Sequence, residues 1–321
     1  MNKRLTILDI ARLSGVGKST VSRVINQDPN VHQTTRERVE AVIREHGFEP
    51  SKSARAMRTN SNRLIGIIVS RLDSPSENRA VRGMLDTLYQ HGYDAMLMES
   101  EFSQEKVTEH LSLLARRGVD GVILFAFTGL DLEQLRTWQS KMVLMARAWP
   151  DMASVCYDDQ GAILAILQAL YAQGKRQIDF LGVDTTDTTT GLLRLQAYQQ
   201  FCQLHSIPCR YLTGSLSVES GYTLASKLIT TSTEALVCAT DTLAIGAAKW
   251  LQMHSNAKII LTGVGNNPLL HFLFPQVASV DPGYKQAGRL AATQLLSLLE
   301  QQTIPQAQIA PAHPFSLTIT E

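Results

Sequence analysis

Two arginines at the ends of predicted strands are the side chains best suited to hold an anion in this chain. Arg71 follows the apolar run Leu64–Val69, and Arg147 follows the run 142–146. Because the carboxyl ends of parallel strands meet at one edge of a sheet, the two guanidinium groups can clamp a phosphate dianion. A surface position for Arg71, paired with Asp73, is the alternative.

A second polar stretch, TTDTTTGLLR at 185–194, lies between a predicted strand and a predicted helix. Consecutive threonine hydroxyls and free N–H groups at a helix N-terminus favour an anion or a polyol. Further along, Asp241 ends a predicted strand, where its carboxylate could accept two sugar hydroxyls or cap the helix predicted to begin at residue 242. Tyr284 follows a VDPG turn and offers a hydroxyl or a ring edge.

These positions predict one small-molecule site. Its candidate effector-binding residues are Arg71, Asp73, Glu77, Arg147, Asp187, Thr188, Thr189, Thr190, Arg194, Asp241, Thr242 and Tyr284. Trp149 and Tyr157 are candidate sugar-stacking aromatics, with core or surface roles as alternatives of equal weight. The sequence contains no GxSxG, HExxH or GxGxxG motif, and its four cysteines lack metal-binding spacing. We therefore predict no enzyme, no cofactor and no metal site.

The elements that accompany this site begin with TILDIARLSGVGKSTVSRVIN at 6–26, which predicts two short helices joined by a tight turn. Thr6 and Asp9 match a capping box, and Ser14-Gly15 supplies a permissive turn. This is the pattern of a helix-turn-helix, whose second helix enters the major groove of DNA. A third helix over about 33–46 is predicted, with an N-cap that is either moved from His32 to Thr34, with Glu37 as its capping-box partner, or weaker.

The second helix carries short polar groups and two cations on its open side, as contacts to base edges and phosphates require. With positions before and after it, the candidate DNA-contacting residues are Thr6, Gly17, Lys18, Ser19, Thr20, Ser22, Arg23, Asn26, Ala54 and Met57. The GKS at 17–19 also matches the end of a P-loop. That motif needs a glycine where Arg12 stands and a strand before the loop, so we reject this interpretation.

Charge is unevenly distributed along the 321 residues. Residues 1–63 contain 12 Lys/Arg and 6 Asp/Glu, whereas the remainder contains 18 and 23. A basic head on a mildly acidic body indicates that only the head touches a polyanion. No run of 18 apolar residues and no signal-peptide pattern occur, so we expect a cytoplasmic protein without membrane contact, associated with the nucleoid when its head binds DNA.

The segment 49–62 links head and body and carries Lys52, Arg55 and Arg58 around one apolar side chain, Met57. Two helical turns of this length are unstable alone in water. A flexible basic tether is one interpretation. The other is a hinge helix that orders only on DNA, where Met57 is a wedge between base steps in the minor groove.

From residue 63 the apolar pattern alternates between strands and helices in two successive sets, which predicts an α/β core of two parallel-sheet lobes around one cleft. The predicted N-lobe spans about 63–158 plus part of 287–312. The predicted C-lobe spans about 162–285 plus a C-terminal strand near 315–320. The expected domains are a helix-turn-helix head at 1–48, the hinge at 49–62 and this core at 63–321.

Over essentially its whole length the chain resembles the lactose/galactose-repressor family. The resemblance is carried by the segment 6–26, TRERVEAVI at 35–43, PSKSARAMR at 50–58, GVDGVIL at 118–124, CATDTLAIGA at 238–247 and VDPGYKQAGRLAA at 280–292. It implies an all-α head with a hinge helix, a core like periplasmic sugar-binding proteins, a homodimer on palindromic double-stranded operator DNA, and an effector contact from Arg194. No leucine heptads follow residue 302, so no tetramer is expected.

Four further segments, SRLDSPSEN at 70–78, VCYDDQGAI at 155–163, TTTGLLR at 188–194 and VGNNPLL at 264–270, resemble family members that control trehalose operons. That resemblance implies trehalose 6-phosphate as inducer, with unphosphorylated trehalose as a competitor for the site. A repressor that senses another sugar or sugar phosphate is the alternative within the family. A sugar-phosphate-processing protein with a basic tether is the alternative from another class.

Overall fold

The computed structural model describes residues 5–25, 28–48, 61–254, 258–301 and 307–310. The predicted hinge helix, with Ala54 and Met57, falls almost entirely outside these residues, as do Asn26 and the predicted strand at 315–320. The chain divides into two compact units, Met1–Arg63 and Leu64–Glu321.

The described part of the first unit contains three helices, α1 (Ile7–Ser14), α2 (Lys18–Ile25) and α3 (Gln33–Glu45). The capping box at the start of α1 is present: the Thr6 hydroxyl accepts from the Asp9 backbone, and the Asp9 carboxylate accepts from the Thr6 backbone N–H at 2.9 Å. Gly15 ends α1 with φ +65°, a left-handed conformation that glycine adopts without a steric cost. The turn therefore forms where the sequence predicts it.

A small apolar core holds the three helices together, formed by Ile10, Ala11, Val21, Val24, Val39 and Phe48. Leu13, which shares the helical spacing of the apolar positions in α1, is 46% exposed, and the buried position is Ser14, whose hydroxyl donates to the Ile10 carbonyl at 2.6 Å. The predicted move of the cap to Thr34 is wrong, whereas the alternative, a weaker cap, agrees with the structure. Because α3 already begins at Gln33, Thr34 lies inside the first turn, and the residue before the helix, His32, makes no capping hydrogen bond through its side chain.

The second unit begins with a lobe built on six parallel strands in the order β11-β5-β4-β3-β1-β2. Its elements are β1 (Leu64–Val69), α4 (Pro75–Gln90), β2 (Asp94–Glu99), α5 (Gln104–Arg117), β3 (Gly121–Phe125), a 3₁₀ segment (Glu133–Lys141), β4 (Met142–Met145) and β5 (Ala153–Tyr157). The central strands are buried on both faces, as parallel sheets covered by helices are. We call this part the N-lobe.

The other lobe, the C-lobe, has five parallel strands in the order β10-β9-β8-β6-β7. Its elements are α6 (Asp159–Ala172), β6 (Ile178–Val183), a π-helical turn (Thr188–Leu193), α7 (Arg194–His205), β7 (Arg210–Gly214), α8 (Val218–Leu228), β8 (Ala235–Cys238), α9 (Asp241–His254), β9 (Ile260–Val264), α10 (Pro268–Leu273) and β10 (Ala278–Val280). The predicted two-sheet α/β class is confirmed.

The chain then returns to the N-lobe through α11 (Tyr284–Gln301) and β11 (Gln308–Ala310), which pairs with β5. Two glycines allow α11 to lie directly on α4. A Cβ atom at Gly83 would stand 2.0 Å from the Lys285 carbonyl oxygen, and one at Gly288 would stand 1.9 Å from that of Ala80. The strand β11 was not predicted. No described helix is both long enough and apolar enough to cross a bilayer.

Candidate effector cleft and DNA-contacting surface

A cavity of about 460 Å³ lies between the two lobes. It is lined by the loops that follow the carboxyl ends of β1, β2, β3 and β4 in the N-lobe and of β6 in the C-lobe, together with Tyr157, Asp159 and Tyr284 from the segments that join the lobes. This is where parallel α/β sheets bind ligands, and the volume suits a small molecule.

Both predicted arginines line this cavity. Arg71 donates from Nε to Asp73 at 3.0 Å. It therefore pairs with Asp73, as the alternative predicted, and also lines the cleft. Arg147 donates to the Phe127 carbonyl at 2.8 Å, and no described carboxylate lies within ion-pair distance of it. Asp73 itself is exposed and does not line the cavity, so it can act on a ligand only through Arg71.

Glu77 lines the same side of the cavity from the first turn of α4. Its Oε2 atom accepts from the backbone N–H groups of Ser70, at 2.7 Å, and Arg71, at 3.4 Å. Burial raises the pKa of the Glu77 carboxyl to about 7, although these two backbone hydrogen bonds lower it. Glu77 therefore anchors the loop that carries Arg71, and its charge depends on pH near neutrality.

A buried ion pair forms the floor of the cavity. Arg194, 1% exposed, donates from Nε to Asp159 at 2.8 Å and from Nη1 to the Ala239 carbonyl at 2.5 Å. Burial lowers the pKa of Arg194, but Asp159 and Tyr284 together outweigh this effect, and the pKa lies above its ordinary value. Asp159 was not predicted, because nothing in its local sequence distinguishes it from the neighbouring Asp158, which caps α6.

Two tyrosines stand beside this pair. The rings of Tyr157 and Tyr284 meet edge to face with their centroids 4.9 Å apart, and burial raises the pKa of both hydroxyls. The Tyr157 hydroxyl is buried and has no hydrogen-bond partner within the described structure. A buried polar atom without a partner at the edge of a cavity is available to a ligand. Trp149, the other predicted aromatic, does not line the cavity.

The threonine-rich wall of the C-lobe differs from the prediction. The N–H groups of Thr189 and Thr190 are not free, because both donate to Oδ1 of Asp187 at 2.9 Å, and their hydroxyls also donate to that carboxylate. The N–H of Thr188 donates to the hydroxyl of Thr128. Among the described residues, Oδ2 of Asp187 accepts only from the Thr190 hydroxyl. This wall therefore presents a carboxylate that repels an anion and whose Oδ2 atom has a lone pair left for a sugar hydroxyl.

Asp241 and Thr242 border a second, smaller cavity beside the first. Both oxygens of the buried Asp241 carboxylate already accept, from the Ser279 hydroxyl and from the Asn267 N–H, each at 2.6 Å. Burial raises the pKa of Asp241. The expected capping role is wrong, because the hydroxyl of Thr240 accepts from the Leu243 N–H. Asp241 thus holds the C-lobe loops together, and its contact with sugar hydroxyls, which would use the second lone pair of each oxygen, stays a prediction.

Two sets of contacts that sequence reasoning missed join the lobes. Arg79 on α4 donates to the Gly265 carbonyl at 2.5 Å and to the Asp281 carboxylate at 2.6 Å. The Thr128 hydroxyl donates to that of Thr188 at 3.1 Å. Their partners lie 186, 202 and 60 residues away in the chain, so only the folded molecule could pair them.

The predicted DNA-contacting surface lies on α2 and the turn before it. Gly17, Lys18, Ser19 and Arg23 are exposed, whereas Val21 and Val24 face the core. Thr20 and Ser22 are half-buried, and Thr6 is exposed at the start of α1. The segment before Gly17 is helix α1, whereas a P-loop follows a strand, so the P-loop interpretation is excluded.

Within the described residues, a helix-turn-helix unit followed by a two-lobed core with a ligand-sized cleft is the arrangement of a DNA-binding regulator. Sequence comparison supports that class. The family description "Bacterial regulatory proteins, lacI family" matches residues 6–51, and "Periplasmic binding protein-like domain" matches residues 167–318.

The HTH-type transcriptional regulator TreR of Escherichia coli is 55% identical over 313 residues, covering 97% of this chain and 99% of that protein, and TreR of Salmonella typhimurium is 52% identical over the same shares. Among solved structures, the trehalose repressor from Escherichia coli has a TM-score of 0.76 and 49% identity, covering 79% of this chain and 99% of that one. A lac repressor dimer bound to operator, 21% identical, has the same fold with a TM-score of 0.85 over 98% of both chains.

The chain therefore belongs to the lacI family of bacterial regulatory proteins. The two curated relatives above are transcriptional regulators, which agrees with the prediction that the chain is not an enzyme. The predictions of a DNA-binding head and of a family member are confirmed.

Proposed function

We propose that the protein is a dimeric repressor of a trehalose-utilisation operon, released from a palindromic operator by trehalose 6-phosphate. The observation that carries this proposal is the pair Arg71 and Arg147 beside a cavity of about 460 Å³. The identity of 55% to TreR and of 49% to the trehalose repressor supports the same effector. The lac repressor of the same fold is a dimer on operator DNA, which supports the same assembly here. The proposed location is the cytoplasm, on the nucleoid when operator-bound.

The charges around the cleft favour one orientation of the effector. Arg71 and Arg147 both belong to the N-lobe, whereas the opposite C-lobe wall presents the carboxylate of Asp187. A phosphate dianion is attracted to the first and repelled by the second, while sugar hydroxyls donate well to a carboxylate. We place the phosphate against the N-lobe and hydroxyls of the sugar against Asp187.

Control of DNA binding requires the effector to bind the DNA-incompetent state more tightly than the competent one. An effector that contacts both lobes can meet this requirement, because it stabilises one relative position of the two lobes. A hundredfold change in operator affinity corresponds to about 2.7 kcal/mol of coupling. The hinge at 49–62 is the proposed element that responds, since two helical turns are marginal without DNA.

The test begins with selection of a palindromic binding site from a random duplex library by the full-length protein. Mobility shifts on that duplex are then measured with trehalose 6-phosphate, trehalose, glucose 6-phosphate and sucrose 6-phosphate. We expect trehalose 6-phosphate alone to release the DNA, and trehalose to compete with it without releasing. Release by another sugar phosphate alone identifies the alternative family member, and indifference to all four ligands contradicts the inducer model.

The phosphate clamp makes a specific prediction for Arg147→Ala. A charged hydrogen bond contributes about 1.5–3 kcal/mol, so the variant should bind trehalose 6-phosphate roughly 10 to 150 times more weakly. Its affinity for unphosphorylated trehalose should change little. Both affinities are measured by calorimetry, with Arg136→Ala as control, because Arg136 is exposed and pairs with Glu133 outside the cleft. Equal weakening of the two sugars would contradict the clamp.

A further inference from the structure

Two phenylalanines form one corner of the cavity and take no part in the charge interactions of the cleft. Phe102 lies between β2 and α5, and Phe127 follows β3. Their ring centroids are 5.7 Å apart and their planes meet at 86°. Both rings line the cavity, and Phe102 is 53% exposed. Because exposed apolar surface is unfavourable in water, a large half-exposed ring at the mouth of a binding cavity indicates a surface that a ligand covers.

The backbone that carries Phe102 adopts an unusual conformation. Glu101 and Phe102 have φ angles of +51° and +58°, a region that glycine and asparagine enter far more readily than phenylalanine. The loop is held there by a hydrogen bond from the Glu101 N–H to the Ser70 carbonyl at 3.0 Å and by the ion pair between Glu101 and Lys106. Backbone strain of this kind concentrates at ligand-binding sites, where it fixes a side chain for its function.

The surroundings of the corner match the surface of a sugar ring. A pyranose has an apolar face of C–H groups and a rim of hydroxyls. Phe102 and Phe127 offer an apolar surface, while Asp187 across the cavity offers a hydrogen-bond acceptor to the rim. The carbonyl of Phe127 accepts from Arg147 at 2.8 Å, which places the corner next to one of the two cations of the proposed phosphate clamp.

We propose that Phe102, supported by Phe127, is the stacking platform for a pyranose ring of the effector and a determinant of sugar specificity. This inference rests on the proposed function, since it takes the ligand of the cleft to be a sugar phosphate. It also replaces the sequence-based expectation for the stacking aromatic. Trp149 does not line the cavity, and Tyr157 is less exposed than Phe102, so it offers less surface to a ligand.

The test measures binding of trehalose 6-phosphate to the full-length protein by calorimetry, with inorganic phosphate as a competitor. We expect Phe102→Ala to weaken the sugar phosphate about tenfold, Phe102→Tyr to change its affinity less than about twofold, and inorganic phosphate to compete equally well in all three proteins. Leu204→Ala is the control, because Leu204 is 78% exposed and lies outside the cavity lining. Its affinity should equal that of the wild type.

The outcomes separate this inference from the proposed function. Failure of the wild-type protein to bind trehalose 6-phosphate contradicts the proposed function. Normal affinity of Phe102→Ala contradicts the platform alone. A loss of inorganic phosphate binding equal to that of the sugar phosphate also contradicts the platform, because it reports a collapsed cavity. Phe102→Leu keeps an apolar side chain without an aromatic face, and we expect it to bind the sugar phosphate about fivefold more weakly; wild-type affinity of this variant would overturn the stacking role.

Discussion

Replacement of Arg194 by methionine is expected to lower the free energy of unfolding of the core by about 3–5 kcal/mol, because it leaves the carboxylate of Asp159 buried without its partner. The same change removes the hydrogen bond from the Arg194 guanidinium to the Ala239 carbonyl and takes a cation away from the lining of the cleft. We therefore also expect trehalose 6-phosphate to lose its effect on operator binding. Urea unfolding and mobility shifts measure the two effects.

A second variant separates stability from effector recognition. Arg194→Met combined with Asp159→Asn removes both charges, so most of the lost stability should return. Effector binding should not return, because the guanidinium is still missing from the cavity. Arg116→Met is a suitable control, since Arg116 is exposed at the end of α5 and distant from the lining residues. If the double variant recovered effector release, Arg194 would have only a structural role.

Glu77 should make the stability of the core depend on pH. Its pKa is about 7 in the folded protein, against 4.5 for an ordinary glutamate. The folded state therefore binds the proton more tightly than the unfolded state. The stabilising effect of the neutral carboxyl is complete below pH 4.5 and is lost as pH rises to about 7, with a total on the order of 3 kcal/mol.

Glu77→Gln cannot titrate, so its unfolding free energy relative to wild type should rise by about 3 kcal/mol between pH 4.5 and pH 8. The comparison uses the change with pH, because the substitution also alters the hydrogen bonds to the Ser70 and Arg71 backbone by an amount that does not depend on pH. Glu133→Gln, at an exposed site, should show no such change. A difference between wild type and Glu77→Gln that stays constant across this range would contradict the raised pKa.

Sequence patterns predicted the elements well because each depends on residues close together in the chain. The capping box of Thr6 and Asp9 spans three residues, and the turn at Gly15 depends on one backbone conformation. The placement of Arg71 and Arg147 on one cavity follows from the geometry of the sheet. Each lies just beyond a buried parallel strand, and parallel strands of one sheet end at a common edge.

The predictions that failed are those that required knowledge of which groups already have partners. The N–H groups of Thr189 and Thr190 were expected to be free, yet both donate hydrogen bonds to the Asp187 carboxylate. Asp241 was expected to cap its helix, yet its oxygens accept from Asn267 and Ser279, which lie 26 and 38 positions further along the chain. Such competition between internal partners and a ligand is decided by side-chain orientation and has no signature in residue type or spacing.

The sequence by itself determined the helix-turn-helix, the two parallel lobes and the arginines of the cleft, because these follow from periodicity, capping and the geometry of parallel sheets. Its resemblance to a known family indicated the class of protein. Only the tertiary structure decided the rest. It paired Arg194 with Asp159 across 35 residues, brought Phe102 against Phe127 and connected the lobes through Arg79. The physical reason is that each of these contacts joins residues from separate elements, and their distance is set by how the lobes pack rather than by local preference.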